Sequence, residues 1–287
     1  MSYPVVRRGG PGYPPLLAEL YDPPARLYLR GGPADVLALP AVAVVGARSC
    51  SPYGAQVARE VARELASAGV VVVSGLARGV DGEAHRGALA GGGRTVAVLG
   101  CGIDRDYPRA HAQLTGRIVE SGAVVSEYPP GVEPSPWRFP ARNRIVAGLA
   151  QATVVVEARE RSGALITADF ALELGREVFA VPGEVTSALS RGTNDLIRQG
   201  ATPLLAAGDV LDALGFERRA PSVGALSPRA AAVLGLLADG ALTLDELARV
   251  ARLPSGEVAA VLTELELGGL VGQADGVYRH LSFEGQR

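Results

Sequence analysis

Two aromatic side chains and three arginines lie together in one short stretch of the sequence, PWRFPARNRIVAGLA at positions 136–150. Trp137 and Phe139 are two of the few large aromatic residues in a chain that is 5% aromatic. The polar residues close to them are Arg138, Arg142, Asn143 and Arg144. Guanidinium groups bind phosphate and a flat ring stacks on a base, so the stretch could bind a ligand that carries both. The alternative is an aromatic core anchor with solvated arginines. We expect Trp137 to be that anchor and Phe139 to be free for the ligand.

The end of this stretch has the apolar spacing of a helix. Ile145, Val146 and Leu149 recur at helical intervals, which predicts a helix that begins near Asn143 and follows a loop. A residue that precedes proline favours extended geometry, so Pro140 disfavours helix at Phe139. Phe139 is therefore predicted to project from the loop, and the helix start is predicted to attract anions.

Buried strands alternate with helices from residue 41 onward. The strand-like runs are 41–46, 70–75, 95–100, 123–127, 153–158, 177–183 and, more weakly, 202–205. The helix-like segments are 53–68, 81–91, 108–121, 143–151, 163–175 and 192–199. Near-continuous apolar strands joined by helices predict an α/β fold, with a doubly wound, Rossmann-like parallel sheet covered on both faces.

Small residues and arginines follow several of these strands. They are Arg48 and Ser49 after the first strand, Ser74, Gly75, Arg78 and Gly79 after the second, and Ser162 and Gly163 after the fifth. Such turns share one edge of a parallel sheet, where ligands bind near the switch point. We therefore predict a phosphate-bearing ligand, although tight turns alone could explain each motif. Ser51-Pro52 and Asp81 are expected to cap helices, and His85 is expected to be a hydrogen-bond partner of Asp81.

Composition excludes several functions. All 28 basic residues are arginine, so a Walker A lysine, a protein-kinase strand lysine and a pyridoxal Schiff base are absent. The first turn, GARSCSPYG, is not a dinucleotide fingerprint. Two cysteines and three scattered histidines predict neither a disulfide framework nor a metal site. We expect no cofactor, no catalytic residue, no membrane span and a cytoplasmic location.

Seven stretches, in order, closely resemble the DprA (DNA-processing protein A, or Smf) family across about residues 13–205. They are YPPLLAEL, VAVVGARSCSPYG, SGLARGVDGEAH, TVAVLGCGIDRDYP, FPARNRIVAGL, ERSGALITADFALELGREVFAVPG and GTNDLIRQGA. The resemblance implies a homodimer that binds single-stranded DNA without cleaving it and helps to load RecA recombinase during natural transformation. The DNA contacts it implies are Arg48, the Ser74-Gly75 turn, Phe139, Arg142, Asn143 and Arg144. Relatives often carry a lysine near the position of Arg138.

The sequence divides into four segments. We predict an irregular lead-in with one short helix at 1–40, the Rossmann-like domain at 41–216, a linker at 217–225 and a small winged-helix domain at 226–287. The last segment has three helical patterns, a helix cap at Ser227-Pro228 and a hairpin around Asp275-Gly276. Its third helix carries Glu257, Glu264 and Glu266 but no arginine. Since a helix that enters a DNA groove should be basic, a protein-contact or dimer-stacking role is favoured over DNA reading.

An enzymatic alternative comes from a related sheet. Nucleoside-monophosphate phosphoribohydrolases of the Lonely-guy type carry a PGGxGTxxE motif that supplies a catalytic glutamate after a strand. This chain has SGALITADFA there, without the second glycine and the glutamate. The non-enzymatic DNA-binding interpretation is therefore favoured.

Overall fold

The structure is a computed structural model that describes residues 3–216, 227–238, 240–267, 270–274 and 276–280. The chain divides into two compact units, Met1–Arg219 and Ala220–Arg287. This division falls within the linker predicted at 217–225, but that linker lies outside the described residues, so its structure stays a prediction.

The described part of the first unit contains a nine-stranded sheet in the order β1-β2-β6-β5-β4-β3-β7-β8-β9. Its strands are β1 Val5–Arg7, β2 Arg26–Gly31, β3 Ala41–Val45, β4 Val71–Ser74, β5 Thr95–Leu99, β6 Ala123–Ser126, β7 Ala152–Val155, β8 Glu177–Ala180 and β9 Thr202–Pro203. From β6 to β9 every neighbouring pair is parallel. The predicted doubly wound parallel sheet is confirmed.

Helices connect the strands. They are α1 Pro15–Ala18, α2 Pro52–Ser67, α3 Val80–Ala90, α4 Ala112–Ser121, α5 Arg138–Gly148, α6 Gly163–Glu173, α7 Arg191–Arg198 and α8 Ala207–Ala213, with 3-10 turns at Ala34–Ala38 and Arg109–His111. Among the described residues, none of the helices has the length and apolar character needed to cross a membrane.

Both faces of the sheet are buried. Alternate residues of β3 pack into different clusters: Val42 and Val44 face the cluster that includes α2, α3 and α8, while Ala43 and Val45 face the cluster that includes α5 and α6. This two-sided burial explains why the strands read as continuous apolar runs instead of alternating ones.

The lead-in is less irregular than predicted. Its short helix is present as α1, but β1 and β2 extend the main sheet, and β2 pairs antiparallel with β6. Leu27 and Leu29 of β2 are buried, whereas Tyr28 between them and Arg30 after them are half-buried. The weak alternation, with arginines at both ends, hid a strand that tertiary pairing stabilises.

The described part of the second unit has the predicted three helices and hairpin. They are α9 Pro228–Leu236, α10 Leu244–Ala251 and α11 Ser255–Leu267, with β10 Leu242–Thr243, β11 Val271–Ala274 and β12 Val277–His280 in one antiparallel sheet. The side chain of Ser227 caps α9, as predicted. Ala274 pairs with Val277, which confirms the hairpin, although Asp275 at its turn lies outside the described residues.

Candidate nucleic-acid interface

The strand order reverses between β3 and β7, and a cavity opens beyond the carboxyl ends of these strands. The cavity has a volume of about 210 Å³. The predicted site residues that line it are Arg48, Gly75, Phe139, Arg142, Asn143, Ser162 and Gly163. The fold therefore brings together turns that are more than 100 residues apart in the sequence. They meet at the position where doubly wound sheets bind ligands.

A larger cleft of about 610 Å³ adjoins this cavity and shares Arg48, Gly75, Phe139 and Arg142 with it. It also contains Ser49 and Arg78, and three residues that sequence analysis did not select: Arg105, Tyr107 and Arg109. These three follow β5 in the stretch CGIDRDYPRA. The signal was available, because β5 is another parallel strand whose carboxyl end meets the same sheet edge.

Three arginines along this edge are exposed: Arg48, Arg78 and Arg109. None of them takes part in the ion pairs formed among the described residues. Arg105 differs, because it pairs with Glu133 at 2.6 Å. The edge thus presents three cationic side chains that can accept a phosphate partner without first losing a carboxylate.

Helix α5 begins earlier than predicted. It includes Arg138, Phe139 and Pro140 in its first turn, and Trp137 is its N-cap. The first amides of a helix have no intrahelical acceptor, so proline at the third position removes no helical hydrogen bond. The prediction of a loop that ends at Asn143 was wrong, because a proline in the first turn is compatible with a helix.

Phe139 is half-buried and already has partners. Its ring stacks on that of Tyr107, with the centroids 5.3 Å apart and the planes at 21°, and the guanidinium of Arg48 lies 5.3 Å from its centroid. The ring is at the interface between the two cavities, as expected of a ligand-facing residue. It is not the free ring that the sequence suggested, because Arg48 and Tyr107 cover it.

Trp137 is not the core anchor that was predicted. Its side chain is 61% exposed. The Arg138 guanidinium lies 5.0 Å from its ring centroid and also 5.0 Å from that of Tyr128, and Arg138 donates a hydrogen bond to the carbonyl of Glu133. The helix starts early enough to turn Trp137 outward at the N-cap, and Ile145 and Val146 anchor α5 instead.

Arg142 lies beneath the site and points inward. It is 4% exposed and donates hydrogen bonds to the carbonyl oxygens of Gly75, at 2.6 Å, and Val98. Burial lowers the pKa of Arg142 to about 10, and the nearby Asp81 opposes that shift. Burial also raises the pKa of Asp81, with Arg142 opposing it. Arg142 thus stays charged at neutral pH and fixes the ends of β4 and β5, a geometry that does not favour the predicted direct contact with DNA.

Arg144 is engaged as well. Two of its guanidinium nitrogens donate to both carboxylate oxygens of Glu127, at 3.0 and 2.7 Å, and its Nε donates to the carbonyl of Asp22 at 3.0 Å. Only 14% of the side chain is exposed. This bidentate pair ties α5 to the end of β6 and to the lead-in, so Arg144 is not available to a phosphate in this arrangement.

The turn after β4 is built for close packing. Ser74 is buried and its hydroxyl donates to the carbonyl of Val44 at 2.7 Å, while Gly75 leaves room for the Arg142 guanidinium. Gly79 has a φ of 73° and lies so close to the carbonyl of Ala47 that a Cβ atom would clash. Most of the small residues predicted to cradle an anion therefore serve the packing of β3 against β4.

Two further predictions about this turn were wrong. Gly79, not Asp81, is the N-cap of α3, and the Asp81 carboxylate accepts from the amide of Ala77 at 3.2 Å. His85 contacts Thr95 at 2.7 Å instead of Asp81. The helical spacing placed Asp81 and His85 on one face, but β5 supplies the nearer partner.

Two helices begin at the switch point, and their N-termini differ. At α2, the Glu157 carboxylate accepts from the amide and the hydroxyl of Ser51, at 2.9 and 2.5 Å, so an internal anion already occupies that terminus. At α6, Ser162 caps the helix, Gly163 is exposed, and the side-chain amide of Asn143 donates to the Gly163 carbonyl at 2.9 Å. Both Ser162 and Gly163 line the smaller cavity, so the terminus of α6 is the one left for a ligand.

The model of the family described as DNA recombination-mediator protein A matches residues 5–215. The chain belongs to this family. The DprA winged helix domain matches residues 217–276, in agreement with the fold of the second unit. The family resemblance stated from the sequence motifs is confirmed.

Curated relatives cover most of the chain. DNA processing protein DprA of Streptococcus pneumoniae is 47% identical over 204 residues, which are 71% of this chain and 72% of the relative. Protein Smf of Escherichia coli is 41% identical over 283 residues, 94% of this chain and 75% of the relative. These matches favour a DNA-processing protein over a phosphoribohydrolase.

Solved structures of the family have the same fold. The crystal structure of DprA from Streptococcus pneumoniae superposes with a TM-score of 0.71 at 45% identity, over 76% of this chain and 75% of that one. A structure of DNA processing protein A from Helicobacter pylori, described for its single-stranded DNA binding mode, has a TM-score of 0.67 at 31% identity, over 75% of this chain and 96% of that one.

Proposed function

We propose that this protein binds single-stranded DNA along the carboxyl edge of its large sheet and acts as a recombination mediator without catalysing a reaction. The observation that carries the proposal is the row of exposed arginines, Arg48, Arg78 and Arg109, which form no ion pair with the described residues and lie beside the aromatic pair Tyr107 and Phe139. A basic groove with stacking rings is the common solution for binding single strands.

The phosphates and the bases use different residues. Arg48, Arg78 and Arg109 contact phosphates, together with the N-terminus of α6 at Ser162 and Gly163, while Ser49 and Asn143 offer polar groups at the rim. Phe139 stacks on a base once the Arg48 guanidinium moves from its ring to a phosphate. Arg48 then loses its cation–π contact with Phe139 and gains a charge-assisted hydrogen bond to the phosphate. The Phe139 ring therefore does not have to be uncovered before the strand binds.

Four predicted contacts take a positioning role in this proposal. Arg142 fixes the turn at Gly75 and the end of β5 at Val98. Ser74 and Gly79 pack β4 against β3, and Arg144 holds α5 to β6. Each of these side chains or backbones already has its partners inside the protein. They set the width of the groove instead of contacting the strand.

The wider role follows from the family resemblance and rests on it alone. We include in the proposal that the chain acts in the cytoplasm as a homodimer, protects incoming DNA and loads RecA during natural transformation. A nucleoside-monophosphate phosphoribohydrolase is the rejected alternative. Release of adenine from AMP would restore that alternative.

The proposal is tested by measuring binding of a single-stranded and a duplex oligonucleotide over a series of salt concentrations. We expect weaker duplex binding, since stacked bases present no face to Phe139. Arg48→Ala should weaken binding to every sequence and reduce the log-log salt slope by about 0.7, the share of one phosphate on a single strand.

Arg63→Ala is the matched control. Arg63 is exposed on α2, about 16 Å along that helix from its start at the switch point. This variant should keep the affinity and the salt slope of the wild type. Equal affinity for single strands and duplex, or a salt slope that Arg48→Ala leaves unchanged, would contradict the proposed contacts.

A further inference from the structure

The exposed ring of Trp137 belongs to a stacked set of side chains, Trp137, Arg138 and Tyr128. The Arg138 guanidinium lies 5.0 Å from the centroid of each ring. It also donates to the carbonyl of Glu133, whose carboxylate pairs with Arg105 at 2.6 Å. These contacts link Trp137 to the wall of the larger cleft, since Arg105 and Glu133 both line it.

The ring is ordered yet unburied. Trp137 is 61% exposed, although a tryptophan gains more than most residues from burial. Cation–π contact with Arg138 restrains its orientation, so a flat partner would meet a ring that has already lost much of its freedom. An exposed aromatic ring with a restrained orientation is suited to stack on a flat group of a ligand.

Phe139 and Trp137 differ in how far other side chains cover their rings. Tyr107 and Arg48 cover the ring of Phe139, whereas most of the Trp137 side chain faces solvent. Two trans peptide units separate the two residues, so their Cα atoms are at most about 7.6 Å apart. A strand that places one base at Phe139 therefore passes within a nucleotide or two of Trp137.

We propose that Trp137 stacks on a second base of the bound strand, next to the base held at Phe139, and that Arg138 orients the ring. This proposal rests on the proposed single-strand binding and deepens it. A base is the expected occupant because the proposed ligand of the adjacent cleft is a single strand, whose unstacked bases offer planar faces. Stacking on Trp137 should not depend on the DNA sequence, since every base has a π-face.

The test uses Trp137 as its own reporter, because it is the single tryptophan of the chain. Titration of the full-length protein with oligo(dT) should quench the fluorescence of Trp137, and the quenching should saturate as the binding site fills. An abasic phosphodiester strand of equal length should bind more weakly and leave the emission close to that of the free protein.

Variants separate stacking from charge. Trp137→Leu and Trp137→Ala should weaken oligo(dT) binding by about 5- to 150-fold, the range measured for loss of one stacked base, without changing the salt slope. Trp137→Phe should restore most of the affinity, because it keeps a ring. Tyr21→Ala removes an aromatic side chain that is fully exposed elsewhere and should change nothing.

Three outcomes would overturn the proposal. They are saturable oligo(dT) binding without quenching, equal quenching by the abasic strand, and wild-type affinity in both Trp137→Ala and Trp137→Leu with unchanged melting temperatures. In all three the protein still binds single strands, so the proposed function survives. Failure of the wild type to bind oligo(dT) at any salt concentration would overturn both.

Discussion

At the scale of single residues, burial decides which arginines can serve a ligand. Arg48, Arg78 and Arg109 are exposed at the sheet edge, while Arg142 and Arg144 are held by carbonyls and carboxylates of the protein. A guanidinium that is bonded to other groups of the protein must lose those hydrogen bonds or ion pairs before it can contact a phosphate. An exposed guanidinium has no such cost. Residue type alone cannot make this distinction.

Phe139→Ala tests the role of the aromatic pair. Because the ring lies at the mouth of both cavities, the change should cost roughly 1 to 3 kcal/mol of single-strand binding. Since the side chain is only half-buried, the loss of unfolding free energy should stay below the roughly 3 to 5 kcal/mol typical of a buried phenylalanine. Binding and thermal unfolding should be measured on the same preparation.

Phe179→Ala is the comparison, because Phe179 of β8 is 1% exposed in the core. It should show the larger loss of stability, and near-native affinity when measured well below its melting temperature. A Phe139→Ala protein that melts much earlier but binds with native affinity would return this ring to a structural role.

At the scale of elements, hydrogen bonds across the sheet fix where the turns stand. Arg142 of α5 joins the ends of β4 and β5, Arg144 joins α5 to β6, and Glu157 after β7 joins the start of α2. Each link is made by a charged group, and each runs between segments distant in sequence. These polar contacts fix the turns that border the larger cleft, while Arg48, Arg78 and Arg109 are exposed along it.

A chain of hydrogen bonds at His85 gives this arrangement a pH dependence. The Thr95 hydroxyl donates to the carbonyl of Val72 at 2.6 Å, so His85 Nδ1 donates to Thr95, which links α3, β5 and β4. Burial, then the nearby His111, Arg142 and Arg86, lower the pKa of His85 to about 3. Between about pH 6.5 and 3 the unfolded chain therefore binds one more proton at His85 than the folded chain does.

His85 should thus make the fold less stable as pH falls through that window, with a slope of up to about 1.4 kcal/mol per pH unit. Urea unfolding between pH 7.5 and 4.5 should show a shallower decline for His85→Asn than for the wild type. The comparison isolates His85, since other groups titrate in both proteins. Identical slopes would show that His85 is not buried as a neutral ring.

At the scale of the whole molecule, the two units differ in charge character. Residues 221–287 contain five arginines and eight acidic residues, a net charge of -3. Glu257, Glu264 and Glu266 of α11 are exposed. An acidic surface repels phosphates, so the described part of the second unit is better suited to protein contact than to a DNA groove.

Removal of residues 221–287 should therefore leave most single-strand affinity intact, with a change of less than about tenfold, or about 1.4 kcal/mol. The salt slope should stay the same, because the proposed phosphate contacts lie in the first unit. Melting temperature and sedimentation of the truncated chain serve as controls. A larger loss in a folded protein of unchanged oligomeric state would give the second unit a direct part in DNA binding.

The sequence by itself determined the doubly wound sheet, because strands buried on both faces must read as continuous apolar runs and helices must connect them. It also determined the sheet edge that carries the candidate site, since all turns after parallel strands share one edge. Ordered motifs were sufficient for the family, and a cap such as Ser227 needs only local residues to form.

Only the tertiary structure decided which members of the motifs are exposed at the candidate site. Whether Arg142 points inward depends on carbonyls at Gly75 and Val98, and whether Trp137 is core or surface depends on where α5 begins. His85 takes its partner from β5, and β2 forms because β6 offers an edge to pair with. These positions and partners depend on neighbours that the fold brings from distant parts of the chain. The local spacing of residues does not predict them.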